Sequence, residues 1–437
     1  MVGYLKALPG GARLLWLYAQ WTLFVAWLLA KDRMTMDKNL TVAIIGCGKF
    51  SPNFVPLFKA HPLVNKVYVC DLLPDRAAAV AQKFGVEIVG SFDDVLKRRD
   101  INAVAIFTQR HLHGPQVLAA LASGKHVYSA VPMAGEVEQC QQIVELVKKT
   151  GQTYMMGETC YYYPSAMYCR EAYHAGSFGK FVYGEAQYHH DIGHFSQEYR
   201  NDLLNAGLPP FYYPTHSTAM ILSAVDSYAL KVVAFGYEDQ EDDQIYKRNV
   251  NQWDNVFSNS YSMMKLANGG TARINECRRI GYKAPSSYVS AFYGTEGAYQ
   301  FSNAQHLLTV KTSQGVTLTD VSARVNPVAM TEHADDPEFK QKVANHKWQW
   351  DNFAPIQQAD ADRLPASFKV PGFPNGHMAS HQLLIDDFCR AAVHGTLPPV
   401  HAWNAARWTI PGLLAHKSLL LDGEPQIVPD CGEPPQA

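Results

Sequence analysis

The sequence predicts an α/β protein in two domains, a parallel sheet with helices on both faces followed by an α/β domain rich in antiparallel strands. Three observations carry this prediction. Residues 40–71 read as strand, glycine turn, helix, strand and terminal acid. Apolar strands and helical segments then alternate as far as residue 157, the pattern of a parallel sheet. From residue 229 onward, apolar and polar residues alternate with the period of half-buried antiparallel strands.

Ahead of the first strand, Lys6 and Arg13 precede the apolar run 14–30, which Gln20 and Thr22 interrupt. The run is long for a signal-peptide core and short for a membrane span. A signal anchor, a secretory signal, and an upstream start before Met34 or Met36 all fit. The absence of an Arg-Arg pair ahead of this run argues against twin-arginine export. The expectation is a cytoplasmic protein, touching a membrane only if 14–30 is retained. Residues 1–36 are then an extension, 37–157 the first domain and 158–437 the second.

Within 40–71, Val42 to Ile45 is a buried strand running into Gly46-Cys47-Gly48. Gly46 permits the tight turn, and Gly48 lets backbone N–H groups approach a pyrophosphate at the following helix. Ser51 takes the third small position. Lys49 and Phe50 belong to the same turn and are assigned to cofactor contact. Asp71 ends the second strand, where its carboxylate would accept the adenosine ribose hydroxyls. No arginine follows it, which favours NAD over NADP. This is the Rossmann dinucleotide-binding fingerprint.

The alternation continues through helix 74–84, strand 86–89, helix 93–98 and strand 101–109. Ligands of such sheets sit beyond the strand C-termini, which aims Thr108, Gln109, His111 and His113 at the cofactor. Helix 114–123, a strand ending near Ala130-Val131-Pro132, helix 137–150 and strand 154–157 complete the domain. Net charge is −2, so no global field draws nucleic acid or an anionic membrane. The eight cysteines are scattered with no C-x-x-C pair, excluding a disulfide framework and a recognisable zinc site.

The second domain supplies the candidates for chemistry. On an extended chain Tyr161 and Tyr163 share a face and Tyr162 does not. They are candidates for substrate binding and catalysis respectively, against an aromatic hinge as the alternative. His189, His190, Asp191 and His194 form a polar cluster without metal-ligand spacing, so no metal is expected. His190 and Asp191 suit sugar hydroxyls, and Tyr188 serves equally well. Tyr213-Pro214-Thr215-His216 opens a helix, with Pro214 suited to its first turn. His216 there can work as a general acid/base near neutral pH, with Tyr213 beside it. The strands run 230–237, 258–267, 270–280, 286–301 and 306–313. Glu276, Arg278 and Arg279 lie near one strand end, and Arg279 is taken as a substrate contact. The aperiodic run 326–376 reads as a surface excursion or lid, and helix 377–393 brings His377 toward the cleft.

TVAIIGCGKF, IFTQRHLHGPQVLAALASGKHV and YGTEGAYQF, in this order, resemble the Gfo/Idh/MocA oxidoreductases over about residues 40–427. The resemblance implies a second domain with a large, mostly antiparallel open sheet, a homo-oligomer formed through it, and NAD(P)-linked chemistry on sugars or polyols. Family dehydrogenases end the strand after GKHV in Glu-Lys-Pro, the lysine lying between nicotinamide and substrate; Pro132 is retained here as a cofactor contact. This chain has Ala130-Val131-Pro132, and valine can move no proton. Relatives resembling NAD-dependent α-N-acetylgalactosaminidases also carry valine there. They share Tyr213-Pro214-Thr215-His216, 375–391 and 398–409, and place a catalytic or substrate-binding histidine where His216 stands. Two outcomes follow from this likeness: simple oxidation of a sugar hydroxyl, or oxidation at C3 followed by elimination, water addition and re-reduction. A non-catalytic NAD- or sugar-binding relative is the third.

Overall fold

The computed structural model describes residues 39–281, 286–302, 305–326, 353–370 and 373–435. The apolar run 14–30 and residues 327–352 and 371–372 of the run 326–376 lie outside the described residues. The rest of that run is not a surface excursion, because Ala354, Ile356, Leu364 and Phe368 are buried in the core. Leu40–Ala437 forms one compact unit.

Six parallel strands build the first sheet: β1 (Leu40–Ile45), β2 (Val64–Cys70), β3 (Glu87–Ile88), β4 (Ala103–Ile106), β5 (His126–Ser129) and β6 (Tyr154–Met156). Their order is β3-β2-β1-β4-β5-β6. β4 is wholly buried, and β1 is buried except at Thr41, as strands covered on both faces must be. Helices Pro74–Phe84 and Val137–Thr150 form where the sequence places them. Left-handed Gly85 and Gly151 stop them, where a C-terminal glycine costs least. The helix after β4 begins at Arg110, a full turn earlier than its apolar pattern suggests.

The second sheet has nine strands. They are β7 (Phe181–His189), β8 (Ala229–Glu238), β9 (Phe257–Leu266), β10 (Thr271–Cys277), β11 (Ser286–Gly294), β12 (Gly297–Ser302), β13 (Gln305–Thr312), β14 (Gly315–Asp320) and β15 (Gln426–Ile427). The order is β14-β13-β12-β11-β7-β10-β9-β8-β15, antiparallel except where β10 pairs with β7. Segment 286–301, expected as one strand, is a hairpin turning at Thr295 and Glu296. β14 was not expected. It is exposed throughout, so no burial alternation marks it.

Helices Pro164–His174, Thr215–Leu222 and Ala402–Leu420 pack on one face of this sheet. On β9, Ser262, Met264 and Leu266 point inward, while Tyr261 and Met263 meet solvent. Phe235 and Tyr237 of β8 are also exposed. The chain finally returns to the first sheet. Helix Ser380–His394 packs on helix Val55–Ala60 and β1. Its Asp386, fully buried, lies 3.2 Å from His61 Nε2 and 2.7–2.8 Å from Arg363 and Arg390. Burial pushes that carboxyl up, but His61 and the two arginines outweigh it and hold it below its ordinary value. Met156 N–H donates to Val400 O at 3.1 Å, tying the edge strand to the start of the last long helix. All eight cysteines are free, and seven are buried. Among the described residues, no helix is long and apolar enough to cross a membrane.

Candidate active site

The nucleotide end is set by two glycines with different duties. Gly46 has φ +91°, and a Cβ there would lie 2.8 Å from Phe107 O, so only glycine fits. At Gly48 a Cβ would meet no atom within 4 Å, leaving open space where the fingerprint calls for a diphosphate. Asp71 Oδ2 accepts from Cys47 N–H at 2.6 Å and Oδ1 from Leu73 N–H at 2.8 Å. The carboxylate thus braces the glycine turn and keeps lone pairs for ribose hydroxyls. Phe50 stands edge-on to His377 and His381, with ring centres 5.6 and 5.7 Å away. Thr108 Oγ1 donates to Gln116 Oε1 at 2.6 Å. The Val131–Pro132 bond is cis, and Val131 is buried.

Two cofactor assignments change. His113 is 1 % exposed, its ring nitrogens 2.8 Å from Pro132 O and 3.0 Å from Thr108 O. The early helix start turns it inward, where it clamps two strand-end turns, and burial pushes its imidazolium down to about 4. Lys49 pairs with Glu198 at 2.8 Å on the surface, so its ammonium reaches the short helix Gln197–Asn201 instead of the glycine turn.

Beyond the ends of β4 and β6 lies a connected set of polar side chains. Glu158 follows β6 and is fully buried; its Oε1 accepts from Cys160 N–H at 2.8 Å and lies 2.6 Å from His216 Nδ1. Burial pushes this carboxyl up, but the adjoining imidazole outweighs it, and the group stays below its ordinary value. The carboxylate therefore holds a proton on Nδ1, which leaves Nε2 as an acceptor. Nε2 lies 3.2 Å from the Tyr213 hydroxyl. Pro214 is the N-cap of helix Thr215–Leu222, which places His216 in its first turn. Burial pushes the Tyr213 phenol up to about 12, against the opposing fields of Arg110 and Arg278. Tyr188 packs its ring 4.8 Å from His216, and its hydroxyl meets His190 Nδ1. Burial, then Arg278, pushes the His190 imidazolium down to about 3, so this histidine is neutral. Buried Tyr163 adjoins Glu158 and Tyr188 without touching His216. His377 keeps an exposed edge, yet desolvation, with His216 next, pushes it down to about 4; its Nδ1 lies 2.8 Å from His381 Nε2.

Three substrate-contact assignments move. Tyr161 does not share a face with Tyr163, because Thr159–Tyr162 is a 3-10 helix that turns each successive side chain by about 120°. Tyr161 lies under Arg170 and against Trp408, and Tyr162 donates to Asp387. Asp191 caps the turn Ile192–His194 and accepts from Ile280 N–H, so both its oxygens serve the backbone. Arg279 is paired with Asp239 and Asp243, while its neighbour Arg278 turns toward Tyr188 and Tyr213.

Glu158 and Arg110 belong to this cluster and were not singled out from the sequence. Arg110 lies with its guanidinium carbon 4.4 Å from the Tyr213 ring centre. Both residues stand directly after a parallel strand, the position that carries ligand contacts in such sheets. Among the described residues, Glu158, Cys160 and His216 are also the one group whose donor atoms lie within 4.8 Å of one another. Their mutual hydrogen bonds already engage that group.

A nucleotide cradle at the strand ends, facing a Tyr–His–Glu chain under an antiparallel sheet, defines an NAD-binding oxidoreductase fold. Residues 40–158 match the family described as "Oxidoreductase family, NAD-binding Rossmann fold". The match spans the parallel sheet and ends at Glu158. Over 90 % of its length the chain is 26 % identical to a glycosyl hydrolase family 109 protein of Streptomyces filamentosus, covering 77 % of that protein. It is 25 % identical to one of Streptomyces coelicolor, covering 83 % of it. Its fold matches levoglucosan dehydrogenase, solved with NADH and levoglucosan, with TM-score 0.68 over 90 % of this chain and all of the other, at 18 % identity.

Proposed function

We propose that this chain is an NAD-dependent enzyme that takes a hydride from a hydroxyl-bearing ring carbon of a sugar. The Tyr213–His216–Glu158 chain is the observation that carries the reading. The open space over Gly48 and the placement of Asp71 fit NAD, which when bound supplies the hydride acceptor. Gly46, Gly48, Phe50, Asp71, Thr108 and Pro132 hold it. Val131 cannot take the hydroxyl proton, so the base is Tyr213 or His216. A proton arriving at His216 Nε2 makes an imidazolium, and the buried Glu158 carboxylate at Nδ1 stabilises it without itself being protonated. Tyr188 and His190 contribute hydrogen bonds to sugar hydroxyls, and His377 closes the cleft beside Phe50.

A second outcome has its own support. The relatives matched along the whole chain are named glycosyl hydrolases, and the base here is a pair instead of one lysine. After oxidation at C3, the C2 hydrogen is acidic; Tyr213 can remove it and His216 can protonate the leaving oxygen. Water addition and hydride return then leave NAD unchanged.

One assay separates the outcomes: full-length protein with NAD and a panel of p-nitrophenyl glycosides, followed at 340 and 405 nm. Nitrophenol without net NADH establishes the redox-neutral enzyme, and NADH without nitrophenol a dehydrogenase. Bound NAD with neither signal across neutral and charged sugars overturns the catalytic reading. We further propose self-association through the exposed Phe235, Tyr237, Tyr261 and Met263 face. A monomer in sedimentation equilibrium at micromolar concentration would refute it.

A further inference from the structure

We propose that the sugar bound in this cleft carries an anionic substituent, a carboxylate, sulfate or phosphate, held by Arg110 and Arg278. The inference rests on the hydride-transfer reading above and names the substrate class it leaves open.

The two guanidinium groups come from different halves of the chain, Arg110 from the helix after β4 and Arg278 from just beyond β10. Both converge on Tyr213, with guanidinium carbons 4.4 and 5.8 Å from its ring centre. Tyr213 touches His216, so the arginines stand at the reacting end of the cleft. Among the described residues, neither forms an ion pair. Arg110 Nη1 meets Asn205 Oδ1 at 3.4 Å, and its guanidinium lies against the Tyr199 and Tyr213 phenols. Arg278 Nη1 is inaccessible to solvent and has no hydrogen-bond partner.

The acids nearby are bonded to other groups. Glu276, two residues before Arg278, bonds to Ser217 and is fully buried, which pushes its carboxyl well above the ordinary range against the field of Arg278. Glu158 is committed to His216. His190 and His377 are neutral at pH 7. The two guanidinium groups are enclosed among phenols while the nearby carboxyls are bonded to Ser217 and His216, which leaves guanidinium N–H donors without an ion-pair partner. Guanidinium forks match planar or tetrahedral oxyanions bidentately, which a neutral hydroxyl cannot exploit.

The test measures binding of monosaccharides to the NAD-loaded full chain by calorimetry. Glucuronate, glucose 6-sulfate and glucose 6-phosphate are set against glucose, with the matching galactose series beside them. At least one anionic member should bind ten-fold or more tightly than its neutral parent, and should weaken as salt rises. The three anions distinguish carboxylate, sulfate and phosphate. Arg278→Gln should collapse that preference toward unity while NAD affinity is retained; Arg278→Lys, which keeps the charge and guards against a folding defect, should keep part of it. Three results overturn the proposal: no anionic member preferred, a variant that weakens anionic and neutral sugars equally, or a loss confined to NAD. The second would make the arginines tuners of Tyr213, and the third would give them to the cofactor. Failure of the hydride reading shows separately, as silence at 340 and 405 nm with a ligand that binds.

Discussion

Replacing each of the two turn glycines by alanine separates folding from cofactor binding. At Gly46 the backbone is left-handed, costing a non-glycine residue about 1–2 kcal/mol. The new Cβ would also stand 2.8 Å from Phe107 O, a backbone atom of the neighbouring strand end, and such overpacking adds about 1–3 kcal/mol. Gly46→Ala should therefore lose about 2–5 kcal/mol, enough to threaten a domain of ordinary stability. At Gly48 neither cost applies, and reduced freedom of the unfolded chain should leave stability unchanged or about 0.4–1 kcal/mol higher. The methyl would instead occupy the space left for the diphosphate, and NAD affinity should fall at least ten-fold. Urea unfolding followed by tryptophan fluorescence reads the first effect, and calorimetric NAD titration the second. Unchanged NAD affinity in Gly48→Ala would place the diphosphate elsewhere; full stability in Gly46→Ala would refute the geometry of the turn.

Other perturbations test the chemistry and the electrostatics. Asp71→Asn keeps an oxygen for Cys47 N–H but removes the charge, so NAD should bind about 10–100-fold more weakly while the fold is retained; calorimetry checks this. Glu158→Gln should cut kcat about 10²–10⁴-fold on whichever glycoside the assay identifies, with NAD affinity unchanged, whereas loss of NAD binding alone would exclude the relay. His416 is 5 % exposed, and burial pushes its imidazolium down to about 4. Its depressed pKa gives stability that is complete above about 6.5 and lost as pH falls toward 4. Between pH 7 and 5, wild type should therefore lose about 2 kcal/mol more than His416→Leu in urea unfolding; parallel pH curves would show the imidazole to be solvated.

How far the sequence spoke depended on whether a local signal existed. Helix Pro74–Phe84 has proline at its first position and glycine just past its last, so its ends were legible. The turn at Gly46 and the acid at Asp71 were equally clear, because the fingerprint joins residue types to backbone geometry. Tyr161, Tyr162 and Tyr163 misled because a single 3-10 turn has no apolar period to distinguish it from extended chain. The same lack of local signal exchanged Arg278 for Arg279: alternation sets adjacent side chains on opposite faces but does not say which face meets the cleft. Arg110 escaped notice because the apolar pattern of its helix starts four residues later. Glu158 had a signal, its place at a strand C-terminus, that only the position of the sheet makes readable.

The return of the chain to the first sheet bears on biosynthesis. His61 and Asp386 are 325 residues apart in sequence, and Tyr162 meets Asp387 across 225. A ribosome that has released the whole parallel sheet has still not made the groups that satisfy its outer edge and the buried His61. Met156 N–H also waits for Val400. The first 158 residues thus emerge as an unfinished body, and closure falls to the final helices. Contacts of such separation form slowly. A protein cut short before residue 380 loses these ties, and with them the helix Ser380–His394 that packs on β1, so the parallel sheet is covered only at the end of translation.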